Sequence, residues 1–255
     1  MTLVSAVVIT FNEEKNIAHC IDSLQGVADE ILVVDSFSTD ATPEICRDKK
    51  VRFLQHAFEG YIEQKNFAMM QAQNDFVLAL DADERLNNEL RNSILHEKIN
   101  LNKDAYSMNR LNNLCGKWIH HSGWYPDRKI RLWNRRKGQW GGRNPHDKVI
   151  MHAGSSMGIL QGDLLHYTAN TIEQFGKQQE KFAEIAAREI ARSGKRTTIF
   201  PELLAVFMFL RRYLFQLGIL DGYYGFIICS EAAKYTYRKY SRAEVIRVEI
   251  LRNKK

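Results

Sequence analysis

Short, uninterrupted apolar runs recur along the first third of the chain. Residues 3–10 are apolar and rich in β-branched side chains apart from Ser5, which is typical of a strand buried on both faces. Further runs predict strands at residues 30–35, 51–54 and 75–81. Helical spacing or helix-start signals lie between and after these runs, and they predict helices at residues 11–24, from residue 42, at residues 61–73 and from residue 86. Asn12 is the predicted N-cap of the first of these helices.

This alternation of strands and helices predicts a mostly parallel sheet with helices on both faces. In such sheets, ligands bind beyond the carboxyl ends of the strands. Polar side chains follow three of the predicted strands at that position, namely Thr10 and Asn12, Asp35, and Asp81 and Asp83. We therefore expect one crevice to collect them.

The hydrophobic pattern is less regular after the first hundred or so residues. Residues 129–136 alternate as a half-exposed strand, and four tryptophans lie near them among basic residues. Residues 172–192 predict a polar helix, and residues 198–240 are apolar, aromatic and basic. No internal repeat or low-complexity linker marks a domain boundary.

Composition narrows the class of protein without fixing a function. The 255 residues are 45% hydrophobic, which is enough for one large domain with or without an appendage. The chain has 36 Lys and Arg against 30 Asp and Glu. The resulting net charge of +6 suits an anionic partner such as a nucleotide, a phosphorylated sugar or a lipid headgroup.

The cysteines and the N-terminal residues favour a cytoplasmic location. None of the four cysteines belongs to a C-x-x-C pair, so we expect reduced, apolar side chains at positions 20, 46, 115 and 229. The first apolar run has no basic segment before it, which predicts a strand rather than a signal peptide. The chain contains no uninterrupted apolar run of about 18 residues, so the sequence does not predict a membrane-spanning helix.

Two carboxylates, Asp81 and Asp83, stand at the end of the fourth predicted strand with Ala82 between them. Because side chains alternate along an extended chain, the two carboxylates are expected to point the same way and repel each other. A divalent cation would relieve that repulsion, and carboxylate oxygens suit Mg²⁺ or Mn²⁺. A solvated acidic turn remains the alternative, since D-x-D is a common tripeptide.

Four motifs in order along the chain give a family resemblance. The motifs VVITFNEEKNI, ILVVDSFSTDAT, QKNFA and LALDADE resemble those of family 2 glycosyltransferases, which have a GT-A fold. This resemblance covers residues 3–90. Three later stretches are similar to the bacterial lipopolysaccharide-core β-glucosyltransferases, which use a UDP-sugar, and these are GWYPDRKIRLWNRR, NPHDKV and FLRRYLFQLGILDGYYGF.

The resemblance implies a role for each matching residue on the donor side. Thr10, Asn12 and Glu13 would line the nucleotide end of the crevice, Asp35 would lie near the uridine, and Lys65 near the diphosphate or its ribose. Asp81 and Asp83 would form the motif that holds Mg²⁺ or Mn²⁺ and the nucleotide, with Asp83 the more direct ligand. Ser36 follows Asp35 where many members have a second acid, which puts base recognition there in doubt.

The acceptor side needs a base that takes the proton of the attacking hydroxyl. The subfamily usually carries a His-Glu pair after its basic strand, and this chain has His146 and Asp147 there. We predict Asp147 as the base, with Asp127 as the second candidate, although the Asp side chain is one methylene shorter. A polar loop is the alternative for Asp147. His166 is assigned as a further metal ligand, with a purely structural histidine as the alternative.

The resemblance also implies the organisation of the chain. Residues 1–195 would form the GT-A domain, with a nucleotide-sugar half at 1–100 and an acceptor half at 101–195. Residues 196–255 would form an amphipathic helical extension, aromatic and basic in character. Two alternatives stay open for this extension: it packs on the catalytic domain, or it lies in the interface of the inner membrane near a lipid-linked acceptor.

The leading hypothesis is an inverting, metal-dependent transfer of a hexose, with glucose favoured, from a UDP-sugar to the heptose region of a lipopolysaccharide core. A nucleotidyltransferase is a second hypothesis, but its phosphate-binding loop is usually Gly-rich or basic, whereas ITFNEEKN is acidic. A third hypothesis is a non-catalytic module that binds sugar nucleotides or membranes. The basic run at residues 128–137 suits a phosphorylated acceptor or a solvated strand, and no nucleic-acid motif accompanies it.

Overall fold

A computed structural model of the chain describes residues 1–143, 146–193 and 200–252. The chain divides into two compact units. The first unit consists of Met1–Leu111 and Asp127–His166, and the second of Asn112–Pro126 and Tyr167–Lys255. Each unit is therefore assembled from two separate stretches of sequence.

The elements of the first part of the chain are β1 (Val4–Thr10), α1 (Ile17–Leu24), β2 (Glu30–Asp35), α2 (Thr42–Asp48), β3 (Arg52–Gln55), α3 (Tyr61–Gln71), β4 (Phe76–Asp81), β5 (Glu84–Leu86), α4 (Asn88–Lys98) and β6 (Ala105–Leu114). They are followed by β7 (Lys117–Ile119), β8 (Asp127–Asn134), β9 (Gly138–Arg143), β10 (His146–Met151) and β11 (Met157–Ala169). The C-terminal part consists of α5 (Ile172–Arg192), α6 (Pro201–Leu210), a π-helical segment (Arg211–Phe215), a 3₁₀ turn (Gly218–Asp221) and α7 (Gly222–Arg252).

The large sheet is mixed, and its parallel part carries the predicted strand ends. The strand order is β3-β2-β1-β4-β8-β6-β11-β5, with β7 paired to the end of β6. Strands β3, β2, β1 and β4 are parallel, while β8 runs antiparallel to both β4 and β6. The register pairs Thr10 with Asp35 and Ile9 with Asp81, so the carboxyl ends of three strands lie side by side.

Helices cover both faces of the parallel strands, as the sequence predicted. On one face, Ile17 and Ile21 of α1 and Leu90 of α4 are fully buried in one apolar cluster. On the other face, Ala68 and Met69 of α3 pack in a second cluster with Val7 and Trp133. The strands are buried from both sides, which is why their sequences read as continuous apolar runs.

Three local predictions were wrong. Asn12 does not cap a helix: its φ is 54°, the first helix begins at Ile17, and the side chain instead accepts a hydrogen bond from the Thr39 amide at 2.8 Å. Leu86 lies in strand β5 and not in a helix. The chain turns at Ala82 and Asp83, so the strand-alternation argument does not apply to the two carboxylates.

The C-terminal helices belong to the second unit. Small side chains on α5, at Ala183 and Ala187, are buried in the packing of α5 against α7. Glu184 of α5 pairs with Arg242 of α7 at 3.3 Å. The helical C-terminal extension is thus present, and packing groups it with α5. The functional boundary predicted at residue 195 stays a prediction.

One pair of C-terminal helices resembles a broken membrane span in length and composition. Within residues 1–143, 146–193 and 200–252, no single helix is long and apolar enough to cross a membrane. The segments Pro201–Phe215 and Gly218–Ile250 meet the criterion only together, and the pair is bent by 73°.

Candidate active site

Lys65 connects two carboxylates that are distant in sequence. Its ammonium nitrogen lies 2.8 Å from Asp147 Oδ2, 3.0 Å from Asp81 Oδ1 and 3.2 Å from Asp81 Oδ2. The Lys65 side chain is 8% exposed. Helix α3 supplies the lysine, β4 supplies Asp81 and β10 supplies Asp147. The structure therefore brings the predicted base to the predicted donor motif.

Asp81 keeps one oxygen without a hydrogen-bond donor among the described residues. The contact of Lys65 with Oδ1 is an ion pair without hydrogen-bond geometry, so Oδ1 is buried and unsatisfied. Burial raises the pKa of Asp81, but the charges of Lys65 and Arg131 outweigh burial and hold that pKa well below its usual value. Asp81 is therefore a permanent anion with an oxygen available to a cation or another donor.

Arg131 and Glu84 form a buried pair behind Asp81. Arg131 Nη2 lies 2.7 Å from Glu84 Oε1 and 3.3 Å from Asp81 Oδ2, and the Asp81 amide donates to Glu84 Oε2 at 3.0 Å. Burial lowers the pKa of Arg131, but Glu84 and Asp81 outweigh burial and raise it above its usual value. Nε and Nη1 of Arg131 are buried and have no acceptor within the described parts of the chain.

Trp140 on β9 covers the cationic side of this cluster. Its ring lies 4.6 Å from Lys65 Nζ and 5.4 Å from Arg131 Cζ, which are distances of cation–π contacts. Asn66 fixes the strand to α3, because its side chain donates to the Trp140 carbonyl and accepts from the Trp140 amide, both at 3.0 Å. The aromatic ring thus helps to hold the two cations against the carboxylates.

Asp83 lies on the turn beyond β4, beside His166. Asp83 Oδ2 is 3.3 Å from His166 Nε2, so the structure brings these two predicted metal ligands together. Burial raises the pKa of nearby Glu13 to about 7, and the negative charges of Asp83 and Asp40 add to that effect. The carboxylates of Glu13, Asp40 and Asp83 are thus close enough for their negative charges to influence one another.

The remaining donor-side residues have distinct surroundings. Asp35 is fully buried and accepts hydrogen bonds from the Ser38 amide at 2.9 Å and from Gln55 Nε2 at 3.1 Å. The Thr10 hydroxyl is buried and has no hydrogen-bond partner in the described regions. Asn12 is exposed, and its side chain organises the loop after β2. The roles predicted for these residues stay predictions.

Asp127 lies in a different pairing environment from Asp147. Its carboxylate is 2.8 Å from Arg110 Nη2 and 2.9 Å from Lys129 Nζ. Burial raises the pKa of Asp127, but Arg110 and Lys129 outweigh burial and lower it. Asp127 is thus engaged by Arg110 and Lys129, whereas Asp147 contacts the same lysine as Asp81 of the donor motif, and this proximity favours Asp147 over Asp127.

Most of the basic run at residues 128–137 has structural partners. Arg131 belongs to the buried cluster, Arg135 donates to the carbonyls of Met69 and Met70, and Arg136 pairs with Asp75 at 2.9 Å. These residues are engaged with other groups of the protein, so the whole run cannot act as one phosphate-binding surface. Arg128 is exposed and remains the member that suits an anionic acceptor.

The carboxylates at the site are the type of ligand that a divalent cation such as Mg²⁺ prefers. Among the described residues, no group of three or more His, Cys, Asp or Glu is arranged to hold a metal ion. Mg²⁺ is commonly held by one or two carboxylates and the phosphates of the substrate, so three protein ligands are not required. The unsatisfied Oδ1 of Asp81 and the neighbouring Asp83 fit that pattern.

Sequence reasoning missed the residues that organise the site. Glu84 directly follows the two aspartates, and Arg131 lies in a strand whose alternation suggested half-exposure. Both are at least 97% buried in the structure. The pairing of β8 with β6 is irregular at Arg131, so the alternation along the strand did not indicate its burial.

The comparisons with known proteins are consistent with this site. The model of glycosyl transferase family 2 matches residues 5–161. An uncharacterized glycosyltransferase of Rickettsia prowazekii, RP128, is 30% identical over 248 residues, which cover 89% of this chain and 83% of the relative. The lipopolysaccharide core biosynthesis glycosyltransferase LpsC of Rhizobium meliloti is 29% identical over 241 residues, covering 91% of this chain and 88% of LpsC.

Two solved structures are more distant. S. aureus TarS 1-349 in complex with UDP-GlcNAc has a TM-score of 0.49 and 16% identity, covering 93% of this chain and 92% of that one. Glucosyl-3-phosphoglycerate synthase from Mycobacterium tuberculosis, crystallised with Mn²⁺ and UDP, has a TM-score of 0.37 and 22% identity over 44% of each chain. Neither likeness transfers a substrate. Because the family model covers well over half of the chain, the protein belongs to glycosyl transferase family 2 and is a glycosyltransferase with a mixed α/β fold consistent with GT-A.

Proposed function

We propose that this glycosyltransferase moves a hexose, with glucose favoured, from a UDP-sugar to the heptose region of a lipopolysaccharide core, with inversion at the anomeric carbon. One observation carries the proposal: Lys65 lies within 3.0 Å of both Asp81 and Asp147, so a candidate base stands beside the donor motif. Family membership favours this hypothesis over a nucleotidyltransferase or a non-catalytic binding module.

On the donor side, Thr10, Asn12, Glu13 and Asp35 would surround the nucleoside. Asp81, Asp83 and His166 would hold Mg²⁺ or Mn²⁺, which when bound supplies positive charge to the diphosphate. Lys65 is placed to contribute a further positive charge beside Asp81. The positive charges of Lys65 and of the bound cation would stabilise the negative charge that builds on the departing diphosphate.

On the acceptor side, Asp147 would take the proton of the attacking hydroxyl. The acceptor oxygen forms a bond to the anomeric carbon, the bond from that carbon to the diphosphate oxygen breaks, and UDP leaves with the bonding electrons. The proton passes to the Asp147 carboxylate. Lys65 positions that carboxylate through its 2.8 Å contact with Oδ2. A single displacement converts an α-linked donor into a β-linked product.

The acceptor class rests on similarity to LpsC, whose name assigns it to lipopolysaccharide core biosynthesis. A lipid-linked saccharide on the cytoplasmic face of the inner membrane is the matching substrate. We accordingly propose a cytoplasmic enzyme in peripheral contact with that membrane.

Calorimetric titration with UDP, GDP and CMP, with and without Mn²⁺, tests the donor site. We expect Mn²⁺-dependent binding that is selective for UDP and is lost in Asp83→Ala. The matched control is Asp22→Asn, which removes an exposed carboxylate paired with Lys49 and is expected to bind UDP normally. Binding of all three nucleotides alike, or of none, would reject the UDP-sugar proposal.

Turnover of a UDP-hexose onto truncated core acceptors tests the base. Asp147→Asn should reduce kcat by about 10²-fold or more, because a general base typically contributes about 10²–10⁴-fold. UDP binding should survive in this variant, since Asp147 is assigned to the acceptor side. Full turnover in Asp147→Asn would show that Asp147 is not the base and would favour Asp127 in that role.

A further inference from the structure

The second unit exposes many apolar side chains to solvent within a short stretch of sequence. Among the described residues, 12 of the 25 exposed large hydrophobic side chains lie within residues 200–226, and we call these 12 the apolar patch. Helix α6 is almost wholly apolar yet buries only Ala205, and the π-helical segment buries none of its residues. Exposed apolar surface of this extent on a soluble chain marks a docking site.

The turn at the tip of the apolar patch is closely packed. A Cβ added at Gly225 would lie 1.8 Å from the Gly218 carbonyl oxygen, and one at Gly218 would lie 2.9 Å from the Arg212 carbonyl oxygen. Leu217 adopts a left-handed conformation with a φ of 55°. Such contacts leave the turn little freedom, so the side chains it presents are held in place.

Hydrogen bonds anchor the same turn from beneath. Asp221, which ends the 3₁₀ turn, accepts from the Ser122 hydroxyl at 2.8 Å and from the His121 amide at 3.1 Å. The Gln216 carbonyl accepts from the Ser122 amide at 3.0 Å. The protein thus fixes a turn on which Phe215 is 81% exposed and Leu220 is 62% exposed. A well-anchored turn that exposes apolar side chains to solvent indicates a binding surface for a partner.

The apolar and aromatic composition of the patch, in a region of net positive charge, favours an anionic lipid surface as that partner. Residues 200–252 contain eight Lys and Arg against five Asp and Glu. Within residues 200–226, Asp221 is buried, and the exposed charged side chains are Glu202 at the start of α6 and Arg211 at its end. Tyrosines accompany the apolar residues, and Tyr223 is itself exposed. Aromatic and basic side chains beside apolar ones are typical of segments that lie at headgroup depth.

The dimensions favour lying in the interface over crossing the bilayer. The helical segment before the bend, Pro201–Phe215, spans about 22 Å at 1.5 Å per residue, which is less than the roughly 30 Å hydrocarbon core. The bend of 73° between this segment and Gly218–Ile250 then turns the chain away from a straight path.

We propose that the apolar patch is a docking surface for an anionic membrane, into which Phe215 and Leu220 insert while Arg211 contacts lipid phosphate. The proposal assigns a function to the C-terminal extension, for which the sequence left two alternatives open. This proposal rests on the peripheral membrane contact proposed above and assigns that contact to a defined surface, but it does not depend on the proposed reaction, because docking requires neither UDP nor a saccharide acceptor.

Sedimentation with lipid vesicles tests the proposal on the full chain. Vesicles of phosphatidylcholine alone are compared with vesicles that also contain anionic phosphatidylglycerol. We expect the protein to bind the anionic vesicles and Phe215→Ser/Leu220→Ser to bind them at least about tenfold more weakly, since two inserted apolar side chains are lost. Arg211→Gln should weaken binding to anionic vesicles several-fold and leave binding to neutral vesicles unchanged.

The matched control is Met157→Ser/Ile159→Ser, which removes two exposed apolar side chains outside the patch and should bind like the unaltered protein. Circular dichroism establishes that all variants are folded. No binding to either vesicle, or equal binding by Phe215→Ser/Leu220→Ser, would overturn the proposal. Concentration-dependent dimers that Phe215→Ser/Leu220→Ser abolishes, without vesicle binding, would overturn it in favour of a second copy. Vesicle binding without glycosyl transfer would reject the reaction and leave docking intact.

Discussion

Arg131 and Glu84 in the first unit are charged and almost fully buried, whereas Phe215 and Leu220 in the second unit are apolar and mostly exposed. Each placement is unfavourable in isolation, because a buried charge loses hydration and an exposed apolar side chain orders water. In the first unit the protein itself supplies the compensation, through contacts of 2.7–3.3 Å between opposite charges. In the second unit, the described residues supply none.

This difference separates a site that is complete in its charges from a surface that needs a partner. The buried charges fix the position of Asp81, which the proposed reaction uses. The exposed apolar side chains fix nothing within the chain, and their partner must come from outside. Substitutions should consequently destabilise the isolated protein strongly in the first region and only slightly in the second.

The largest effect on stability is expected from Arg131→Met. The substitution leaves the Glu84 carboxylate buried beside an apolar side chain, and breaking a buried pair in this way typically costs about 3–5 kcal/mol. Urea unfolding measures the change in the free energy of unfolding. Arg136→Met is the matched control, because it breaks an exposed pair with Asp75 and should cost about 1 kcal/mol or less. Equal costs for the two variants would contradict the buried-charge description.

The sequence was sufficient to predict the parallel half of the fold. Continuous apolar runs identify strands buried on both faces, and their alternation with helices predicts parallel pairing. That pairing places Thr10 beside Asp35 and Ile9 beside Asp81, as the expected crevice requires. The helical C-terminal region was predicted too, since its apolar and basic composition extends over more than 40 residues.

Other features depend on contacts that no local pattern encodes. The contact between Lys65 and Asp147 spans 82 positions and requires β9 to pack on α3 through Asn66 and Trp140. Arg131 has the sequence pattern of a half-exposed strand residue and is buried because Glu84 and Asp81 face it. The orientation of the Asp83 side chain depends on the turn at Ala82. The apolar strand pattern in the sequence gives no sign of this turn.

A smaller, pH-dependent effect is expected at Glu13, the donor-side carboxyl that lacks a strong cationic partner. Burial raises its pKa from 4.5 to about 7, so the folded protein retains a proton that the unfolded chain releases above pH 4.5. Stability is therefore lost as the pH rises from 4.5 to about 7 and changes no further from this group above that range. Glu13→Gln keeps the neutral form and should stabilise the protein by about 1–2 kcal/mol at pH 8, after allowance for solvent screening.

Thermal unfolding at pH 4.5 and pH 8 checks the sign for Glu13→Gln. The difference between variant and unaltered protein should be small at the lower pH and favour the variant at the higher pH. A stabilisation of the same size at both pH values would indicate a packing effect instead of the removal of a titrating carboxyl. Glu14→Gln, at the neighbouring position where the carboxylate accepts from the Ala41 amide, is the control.

The smallest effect is expected in the apolar patch, where Phe215→Ala should change the free energy of unfolding by about 0.5 kcal/mol or less in the absence of lipid. Its matched control is Phe175→Ala in the same unit. Phe175 is 2% exposed and packs edge-on to Trp124 at a centroid distance of 5.6 Å, so its loss should cost about 3–5 kcal/mol. Urea unfolding of the two variants compares the same chemical change in two surroundings. A cost above about 1.5 kcal/mol for Phe215→Ala would mean that this ring is packed in solution, and the contrast between the two units would then disappear at the residue on which it depends most.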